Sequence, residues 1–283
     1  MKLLRYGSVG DEKPGLLDEH GNIRDLFYYL NDLTPQTLGD SSLPAQLAAL
    51  NPEHLPIIEK PVRIGACVGN PGKIICVGLN SLKHAAQMGI QAPPRSEMVL
   101  FLKATSAICG PHDPILYSKM MKKLDWEAEL AIVIGKKGKY ISENDARSHI
   151  FGYTCMNDLS ERYWQLETAD KQFMKGKSFD TTAPLGPYLV TKDAIASSAN
   201  IEIKLWVNDT LRQAFNTDEY THQDAAIVSY VSQFFTLYPG DIISMGTGSG
   251  DTPVSENQFL KPGDRVRLMI DGMGEQLQVV TNE

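Results

Sequence analysis

Three carboxylates in this chain are spaced so that they could share one cation. Glu127 and Glu129 stand two residues apart at the start of the apolar run AELAIVIG. Alternate residues of a β-strand point to the same face, where two carboxylates repel each other and burying either alone is unfavourable. Asp158 ends another apolar run, IFGYTCMN, and pairing of the two runs would bring it close. Three carboxylates form a hard oxygen site that suits Mg²⁺, Mn²⁺ or Ca²⁺ better than zinc.

The alternative for Glu127 and Glu129 is a pair of solvated acids on an edge strand, and a bare Glu-x-Glu pattern would favour it. Trp126 and the AIVI run that follows indicate instead that this strand is buried. Buried carboxylates need a cationic partner, so the sequence favours a shared metal.

Several polar residues downstream could contact an anion bound there. If Ser160 caps a helix in LSERYWQ, Arg162 and Gln165 lie one turn apart on the same face. The stretch GKSFD supplies Lys177 in a turn between Gly and Ser. Solvated surface charge is the simpler interpretation of Arg162 and Lys177 when each is considered alone.

Two further segments are candidates for the same site. The stretch GLNSLKHAAQMG predicts a short helix with Asn80 or Ser81 as N-cap, and it places His84 and Gln87 three residues apart. The glycine-rich MGTGSGDT at 245–252 could present the hydroxyl of Thr247 and backbone N–H groups to an oxyanion. That stretch lacks the spacing of a P-loop or a dinucleotide-binding turn, and an ordinary loop is its alternative.

The elements that position these residues are mostly strands. Short β-rich runs alternate with turns from KIICVGL at 73 onward, and helical periodicity is confined to stretches such as SENDARSHI and DAAIVSYVSQFFTLY. In the second of these, Ile227, Tyr230, Val231 and Phe234 follow one helical face. Residues 35–56 allow one short helix at most. The sequence therefore predicts a β-dominated α+β fold, with a small β-rich N-terminal module at 1–70 and a catalytic domain at 71–283.

Composition excludes some classes of partner. The 283 residues carry a net charge of −7, and no Lys/Arg run exceeds two residues, so we expect no nucleic-acid partner. No stretch has the apolar length of a membrane span, and the N-terminus lacks a signal peptide, so we expect no membrane partner and a cytoplasmic protein. The four cysteines lack CxxC spacing and predict buried reduced thiols.

Taken together, the motifs resemble the fumarylacetoacetate hydrolase family. The resemblance runs from about residue 73 to the C-terminus through an ordered series of matches, which are VGLNxxxHAAxxG, FLKATSAICGP, LDWExELAIVIGK, GYTxxND, GKSFDT, GPYLVT, TLYPGDIISMGTG and FLKPGDRVRL. The N-terminal KLLRYG, KPGLLD and IRDL further resemble the branch that cleaves 2,4-diketo-3-deoxy sugar acids, whose members are often labelled ureidoglycolate lyase.

This resemblance implies a fold of rolled mixed β-sheets, a homodimer, and a divalent metal, commonly Mg²⁺, held by Glu127, Glu129 and Asp158. It implies a small anionic keto-acid substrate that chelates the metal and is activated by it. It also implies roles for six further residues, which are catalysis by His84 and Lys177 and substrate binding by Lys103, Arg162, Gln165 and Thr247.

The sequence departs from the family pattern beside the predicted histidine base. Hydrolytic members pair this histidine with an acid three residues on, where the chain has Gln87, and they carry a tyrosine where it has Ser81. The proline of the usual GTPxGVG loop is also missing from GTGSGDT. An amide supplies only a dipole to the imidazole, so His84 would be a weaker base than in such members.

Four functions follow from these residues. The first is a metal-dependent hydrolase that cleaves a C–C bond of a small 1,3-diketo acid, either an acylpyruvate or a 2,4-diketo-3-deoxy sugar acid. Gln87 favours a second, an oxaloacetate-type decarboxylase or keto–enol tautomerase, which needs the metal and Lys177 but no hydrolytic water. A ureidoglycolate-type lyase and a non-catalytic protein that binds metal and ligand are the other two.

Overall fold

A computed structural model describes residues 1–170, 172–250 and 258–283, and β-strands dominate this part of the chain. The strands are β1 (Lys2–Tyr6), β2 (Lys13–Leu17), β3 (Ile23–Asp25), β4 (Ile57–Ile58), β5 (Ile74–Gly78), β6 (Val99–Lys103), β7 (Ile108–Cys109), β8 (Ile115–Tyr117), β9 (Leu124–Asp125), β10 (Ala128–Ile134), β11 (Ile150–Asn157), β12 (Ser160–Glu161), β13 (Ala183–Pro184), β14 (Leu189–Thr191), β15 (Glu202–Val207), β16 (Thr210–Asn216), β17 (Ile242–Thr247), β18 (Arg265–Ile270) and β19 (Gly274–Asn282).

The helices of the described residues are short. The α-helices are α1 (Pro35–Leu38), α2 (Leu43–Ala49), α3 (Leu82–Gln87), α4 (Glu143–His149), α5 (Phe173–Lys177) and α6 (Asp224–Phe234). A π-helical turn spans Tyr163–Glu167, and 3₁₀ turns span Pro52–His54, Arg95–Glu97, Thr105–Ala107, Lys192–Ala194 and Thr217–Glu219. The predicted β-dominated α+β class is confirmed, and none of these helices is long and apolar enough to cross a membrane.

One ten-stranded sheet organises the molecule, in the order β4-β3-β2-β1-β14-β11-β10-β17-β5-β6. Its pairs are antiparallel except for β17 and β5, which run parallel. The N-terminal strands continue this sheet, because β1 pairs with β14. The division of the chain at residue 70 remains a prediction.

A second sheet of five strands, in the order β16-β15-β18-β19-β8, packs over one face of the first. Apolar side chains of β10, β11, β15, β18 and α6 form a shared core between the two sheets. The opposite face of β10 packs with residues of the N-terminal strands and of α1 and α2 in another core. Both faces of β10 are therefore buried, as the unbroken apolar run predicts.

Most of the predicted helices are present, with differences in detail. Ser142 caps α4 by accepting from the backbone N–H of Asp145. Helix α6 forms as predicted, and its face buries Ile227 and Val231, whereas Phe234 is 57% exposed. The limit of one short helix in residues 35–56 was wrong, since α1 and α2 both lie there. Both helices begin with a proline in the first turn, a position where its missing N–H is harmless.

Two local predictions near the candidate site were wrong. Ser160 does not cap a helix; it lies in β12, which pairs with β9, and the helical turn begins later at Tyr163. Lys177 does not sit in a turn but is the last residue of α5. The four cysteines are free and buried, as predicted.

Candidate metal centre and active site

The predicted carboxylates meet where β10 and β11 lie side by side. The register pairs Ala128 with Asn157, so the residues just outside, Glu127 and Asp158, also become neighbours. The backbone N–H of Asp158 donates to the carbonyl oxygen of Glu127 at 2.8 Å. Glu127, Glu129 and Asp158 each offer a carboxylate oxygen, and these oxygens lie within 4.8 Å of one another. All three residues are buried.

Glu127 is held by two cations. Its oxygens accept from Nζ of Lys177 at 2.5 Å and from a guanidinium nitrogen of Arg162 at 2.7 Å. Burial would raise the pKa of Glu127, but these two cations outweigh it and hold the pKa well below its ordinary value. Glu127 is therefore an ionised carboxylate.

Glu129 has a different environment, because its partners are neutral. Its carboxylate accepts from the hydroxyl of Ser244 and from the backbone N–H of Gly246 at 3.0 Å, both on β17. Gly246 reaches this position with a φ of +95°, and a Cβ there would lie 2.7 Å from the carbonyl oxygen of Val77. Burial, together with the charges of Asp158 and Glu127, raises the pKa of Glu129 well above its ordinary value.

Asp158 lies deepest and accepts from two ammonium groups. Nζ of Lys103 donates to one carboxylate oxygen at 2.7 Å, and Nζ of Lys177 donates to the other at 2.8 Å. The negative charges of Asp158 and Glu127 outweigh burial and raise the pKa of Lys177. Lys103 also donates to the carbonyl oxygen of Leu159 and is fully buried behind Asp158. Lys177 thus bridges two of the three carboxylates, whereas Lys103 supports one from behind.

Arg162 connects this cluster to a residue that the sequence analysis did not select. Its guanidinium donates to Oδ2 of Asp125 at 2.6 and 2.8 Å and to Oε1 of Gln165 at 2.8 Å. Asp125 is buried, and it lies two residues before Glu127 in the same LDWE motif. That alternation was the signal that could have identified Asp125 as a member of the cluster. Arg162 and Gln165, which were predicted to share one helical face, are hydrogen-bonded, with Arg162 as the N-cap of the π-helical turn.

His84 faces the same cavity but lacks the predicted partner. It lies on α3, whose N-cap Ser81 accepts from the backbone N–H of His84. Burial lowers the pKa of His84, and its Nδ1 has no hydrogen-bond partner among the described residues. The exposed side chain of Gln87 instead accepts from the backbone N–H of Gly250 at 3.2 Å. In this arrangement Gln87 does not orient the imidazole.

Thr247 ends β17 beside Glu129 and lines the cavity. Its hydroxyl donates to the carbonyl oxygen of Ala128 at 3.0 Å and accepts from Nε2 of Gln213 at 2.8 Å. The hydroxyl proton is therefore engaged within the protein. Residues 251 and 252, which end the glycine-rich stretch, lie outside the described residues.

These side chains surround a cavity of about 120 Å³. Its polar lining consists of His84, Glu127, Glu129, Arg162, Gln165, Lys177 and Thr247. Around it, four buried carboxylates face two buried lysines and the partly buried Arg162, which leaves one negative charge in excess when all are ionised. The excess resides at Glu129, because the ion pairs of the described residues reach the other three acids and do not reach Glu129. The arrangement can bind a further cation and, beside it, a small anion.

Known proteins are similar to this chain over most of its length. Residues 73–281 match the family model described as the C-terminal domain of fumarylacetoacetate (FAA) hydrolase. A protein of Burkholderia cenocepacia, whose name assigns it provisionally to the hydrolases, is 46% identical over 284 aligned positions, which cover 98% of each chain.

Solved structures show the same fold. The fumarylacetoacetate hydrolase of psychrophilic Exiguobacterium antarcticum superimposes with a TM-score of 0.85 at 31% identity, covering 100% of both chains. The maleylpyruvate hydrolase of Sphingobium sp. SYK-6, solved in complex with manganese(II) and pyruvate, gives a TM-score of 0.81 at 30% identity, covering 100% of this chain and 99% of that one.

Proposed function

The chain belongs to the fumarylacetoacetate hydrolase family, and from that premise we propose that it is a divalent-metal-dependent hydrolase that cleaves a C–C bond of a small 1,3-diketo acid such as an acylpyruvate. The observation that carries the proposal is Glu129, a buried carboxylate without a cationic partner among the described residues, placed beside two other carboxylates. A buried charge of this kind is unfavourable unless something neutralises it.

The donor set fits a divalent cation. Three carboxylate oxygens are hard ligands of the type that Mg²⁺, Mn²⁺ and Ca²⁺ prefer. The ammonium of Lys177 already lies between Glu127 and Asp158, which shows that this position attracts positive charge. A divalent cation would change the charge of the cluster from one negative in excess to one positive in excess, which suits an anionic substrate. The manganese and pyruvate of the Sphingobium enzyme support the same assignment.

When bound, the metal would act as a Lewis acid on the substrate carbonyl. The chain's own cations stabilise the negative charge that develops when the C–C bond breaks. Lys177 and Arg162 line the cavity and donate hydrogen bonds that can be shared with the carboxylate and enolate oxygens of the substrate. Lys103 and Asp125 do not line it; they hold Asp158 and Arg162 in place.

His84 is the candidate base for water. Its lowered pKa keeps the imidazole neutral near pH 7, so it can accept a proton. The hydroxyl of water bonds to the acyl carbon, and the bond between that carbon and the neighbouring methylene carbon breaks. The electrons of this bond pass to the methylene carbon, which takes a proton and becomes the methyl group of pyruvate. The acyl part leaves as a carboxylic acid. Each step uses groups that face one cavity.

One observation favours a second function, an oxaloacetate-type decarboxylase or keto–enol tautomerase. Nδ1 of His84 is unpartnered among the described residues, and Gln87 turns toward Gly250. Without a group on Nδ1 to orient the ring, water is activated less well, whereas decarboxylation and tautomerisation need no hydrolytic water. We expect either enzyme to act in the cytoplasm as a homodimer, with the oligomer measurable by light scattering.

Two parallel assays distinguish these functions. Acetylpyruvate cleavage and oxaloacetate loss are measured with Mg²⁺ or Mn²⁺ and after chelation with EDTA. A hydrolase cleaves acetylpyruvate faster, and a decarboxylase consumes oxaloacetate faster; each loses its activity in EDTA and regains it with metal. Full activity after exhaustive chelation would contradict the metal assignment.

A further inference from the structure

The cavity has two chemically different parts. The charged residues lie on its floor, and the remaining wall is apolar, contributed mainly by β6, the π-helical turn, α5 and the segment that follows α3. The apolar wall is defined here as Met88, Ile90, Val99, Phe101, Leu166 and Phe173. A ligand whose carboxylate lies on the floor must therefore direct its other end at this wall.

The change from floor to wall occurs at Lys177. Its Nζ lies 4.9 Å from the centre of the Phe101 ring, and the ring of Phe173 packs edge-on against Phe101 at a centroid distance of 5.5 Å. Val99, Phe101 and Lys103 share one face of β6 by strand alternation, so the same strand carries two residues of the wall and the lysine that supports Asp158 from behind. The apolar part thus begins directly beside the charged group.

The outer end of the wall is unusually apolar for a surface. Ile90 is 47% exposed and Leu166 is 42% exposed, and they approach the cavity from different elements. Large apolar residues that converge on the mouth of a cavity are typical of a site that binds an apolar group.

The wall offers no partner for a second charge. The cations among the described lining residues are Arg162 and Lys177, and both lie on the floor in contact with Glu127. A distal carboxylate, or a row of hydroxyls, would lose water against the wall and gain no hydrogen bond from the side chains that form it.

We propose that the substrate of this site is a 2-oxo acid whose distal group is a short alkyl chain, and that the apolar wall selects it against carboxylate-ended and polyhydroxylated chains. The inference rests on the proposed function, because it takes the charged floor as the site of the oxo-acid end. It favours an acylpyruvate over a 2,4-diketo-3-deoxy sugar acid.

Binding tests this selection without requiring turnover. Two ligands of equal length, 2-oxohexanoate and 2-oxoadipate, differ in whether the chain ends in a methyl group or a carboxylate. Calorimetry with the Mn²⁺-loaded protein is expected to show at least about tenfold tighter binding of 2-oxohexanoate. From pyruvate to 2-oxohexanoate, each added methylene is expected to tighten binding by about two- to fourfold. Equal or tighter binding of 2-oxoadipate would overturn the proposal.

A matched pair of variants locates the selection at the wall. Ile90→Lys places a cation at the mouth and is expected to shift the preference toward 2-oxoadipate by up to about fivefold, with the shift weakening at high salt. Leu102→Lys is the control, because this residue is similarly exposed, at 40%, but lies on the other face of β6. An equal shift in both variants would show that overall charge, not the wall, sets the preference.

The outcomes separate this inference from the proposed function. Preferential binding of 2-oxohexanoate without cleavage of any acylpyruvate supports selection by the apolar wall and contradicts the proposed hydrolase function. If acylpyruvates are cleaved at rates that do not depend on the distal group, the hydrolase function is supported and selection by the apolar wall is contradicted. A metal-loaded protein that binds no 2-oxo acid contradicts both.

Discussion

Two charge networks in this molecule, one partly buried and one buried, differ in how their acids are partnered. The N-terminal network, defined as Arg5, Glu12, Asp32, Arg63 and Asp113, pairs every carboxylate with an arginine. Each arginine forms a two-pronged contact with an aspartate at 2.6–2.9 Å, and both reach Glu12. In the metal-site network around Glu127, Glu129 and Asp158, Glu129 is bound only by neutral groups of the described residues.

We propose that this difference separates a structural network from a functional one. A buried acid that contacts arginine has its charge neutralised in the folded chain, and the contact joins segments that are distant in sequence. A buried acid that lacks such a contact raises the free energy of the folded protein unless it takes up a proton or a ligand neutralises it, and the raised pKa of Glu129 reflects this. Partnering, more than burial or proximity, therefore identifies the functional cluster.

The largest expected effect comes from Glu129→Gln. The amide keeps an acceptor for Ser244 and Gly246 but removes a metal ligand, so metal-free stability should change little while cleavage falls on the order of 10³-fold. With wild type, metal at 100-fold above Kd stabilises by about 2.7 kcal/mol. Differential scanning fluorimetry with and without Mn²⁺ should show that the variant loses this shift. Glu12→Gln in the N-terminal network is the control and should keep it. A normal metal shift in Glu129→Gln would remove Glu129 from the ligand set.

Lys177→Met should have the next largest effect. Loss of the ammonium removes a donor to the anionic intermediate and leaves Glu127 and Asp158 facing each other, so kcat should fall on the order of 10²-fold. Lys175→Met on the same helix is the control, since Lys175 is about half exposed and pairs with Asp170. Steady-state kinetics and circular dichroism measure the two changes separately. A loss of stability with unchanged kcat would show that Lys177 is only structural.

Arg63→Met in the N-terminal network should lower stability and leave activity unchanged, the opposite of the effect expected for Lys177→Met. It removes the contacts to Asp113 and Glu12, and because Arg63 is partly exposed we expect a loss of about 2–3 kcal/mol in the free energy of unfolding by urea. Activity per folded molecule should stay within about twofold of wild type. A tenfold loss of activity below the unfolding transition would show that the two networks are coupled.

The smallest effect is expected for Gln87→Glu. A glutamate can still accept from Gly250, so hydrolysis of an acylpyruvate and loss of oxaloacetate should each change by less than about threefold. Rates of both reactions for wild type and variant provide the measurement. A tenfold gain in hydrolysis alone would show that residue 87 reaches His84 in the working enzyme and restores its acid partner.

The sequence predicted the metal-site carboxylates because their signal is local. Acids at the ends of two apolar runs identify both the strands and the end at which they meet, and the structure places Glu127 and Asp158 side by side. The sequence also selected Lys177 and Arg162 as candidates, and motif resemblance gave them roles, but their contacts depend on chain folding. The roles of these residues remain predictions.

Other features of the site could not be read locally. Ser244 looks like one polar residue in the run DIISMG, and only the pairing of β17 with β10 shows that it donates to Glu129. Ser160 follows a pattern that suits a helix cap, but β9 pairs with its segment and makes it a strand. The apolar wall required the geometry too, because its members come from segments that sequence analysis treats separately.

The position of β17 between β10 and β5 has a consequence for biosynthesis. Strand β17 pairs in parallel with β5, and Ile242 of β17 lies opposite Ile74 of β5. At 5–20 residues per second, the ribosome therefore needs on the order of 10–30 s after β5 to synthesise β17. Until β17 emerges, the edge of β5, and that of β10 once it has been synthesised, stay open to unwanted pairing. Ser244 and Gly246 arrive with β17, so the nascent chain cannot complete the environment of Glu129 before this strand emerges.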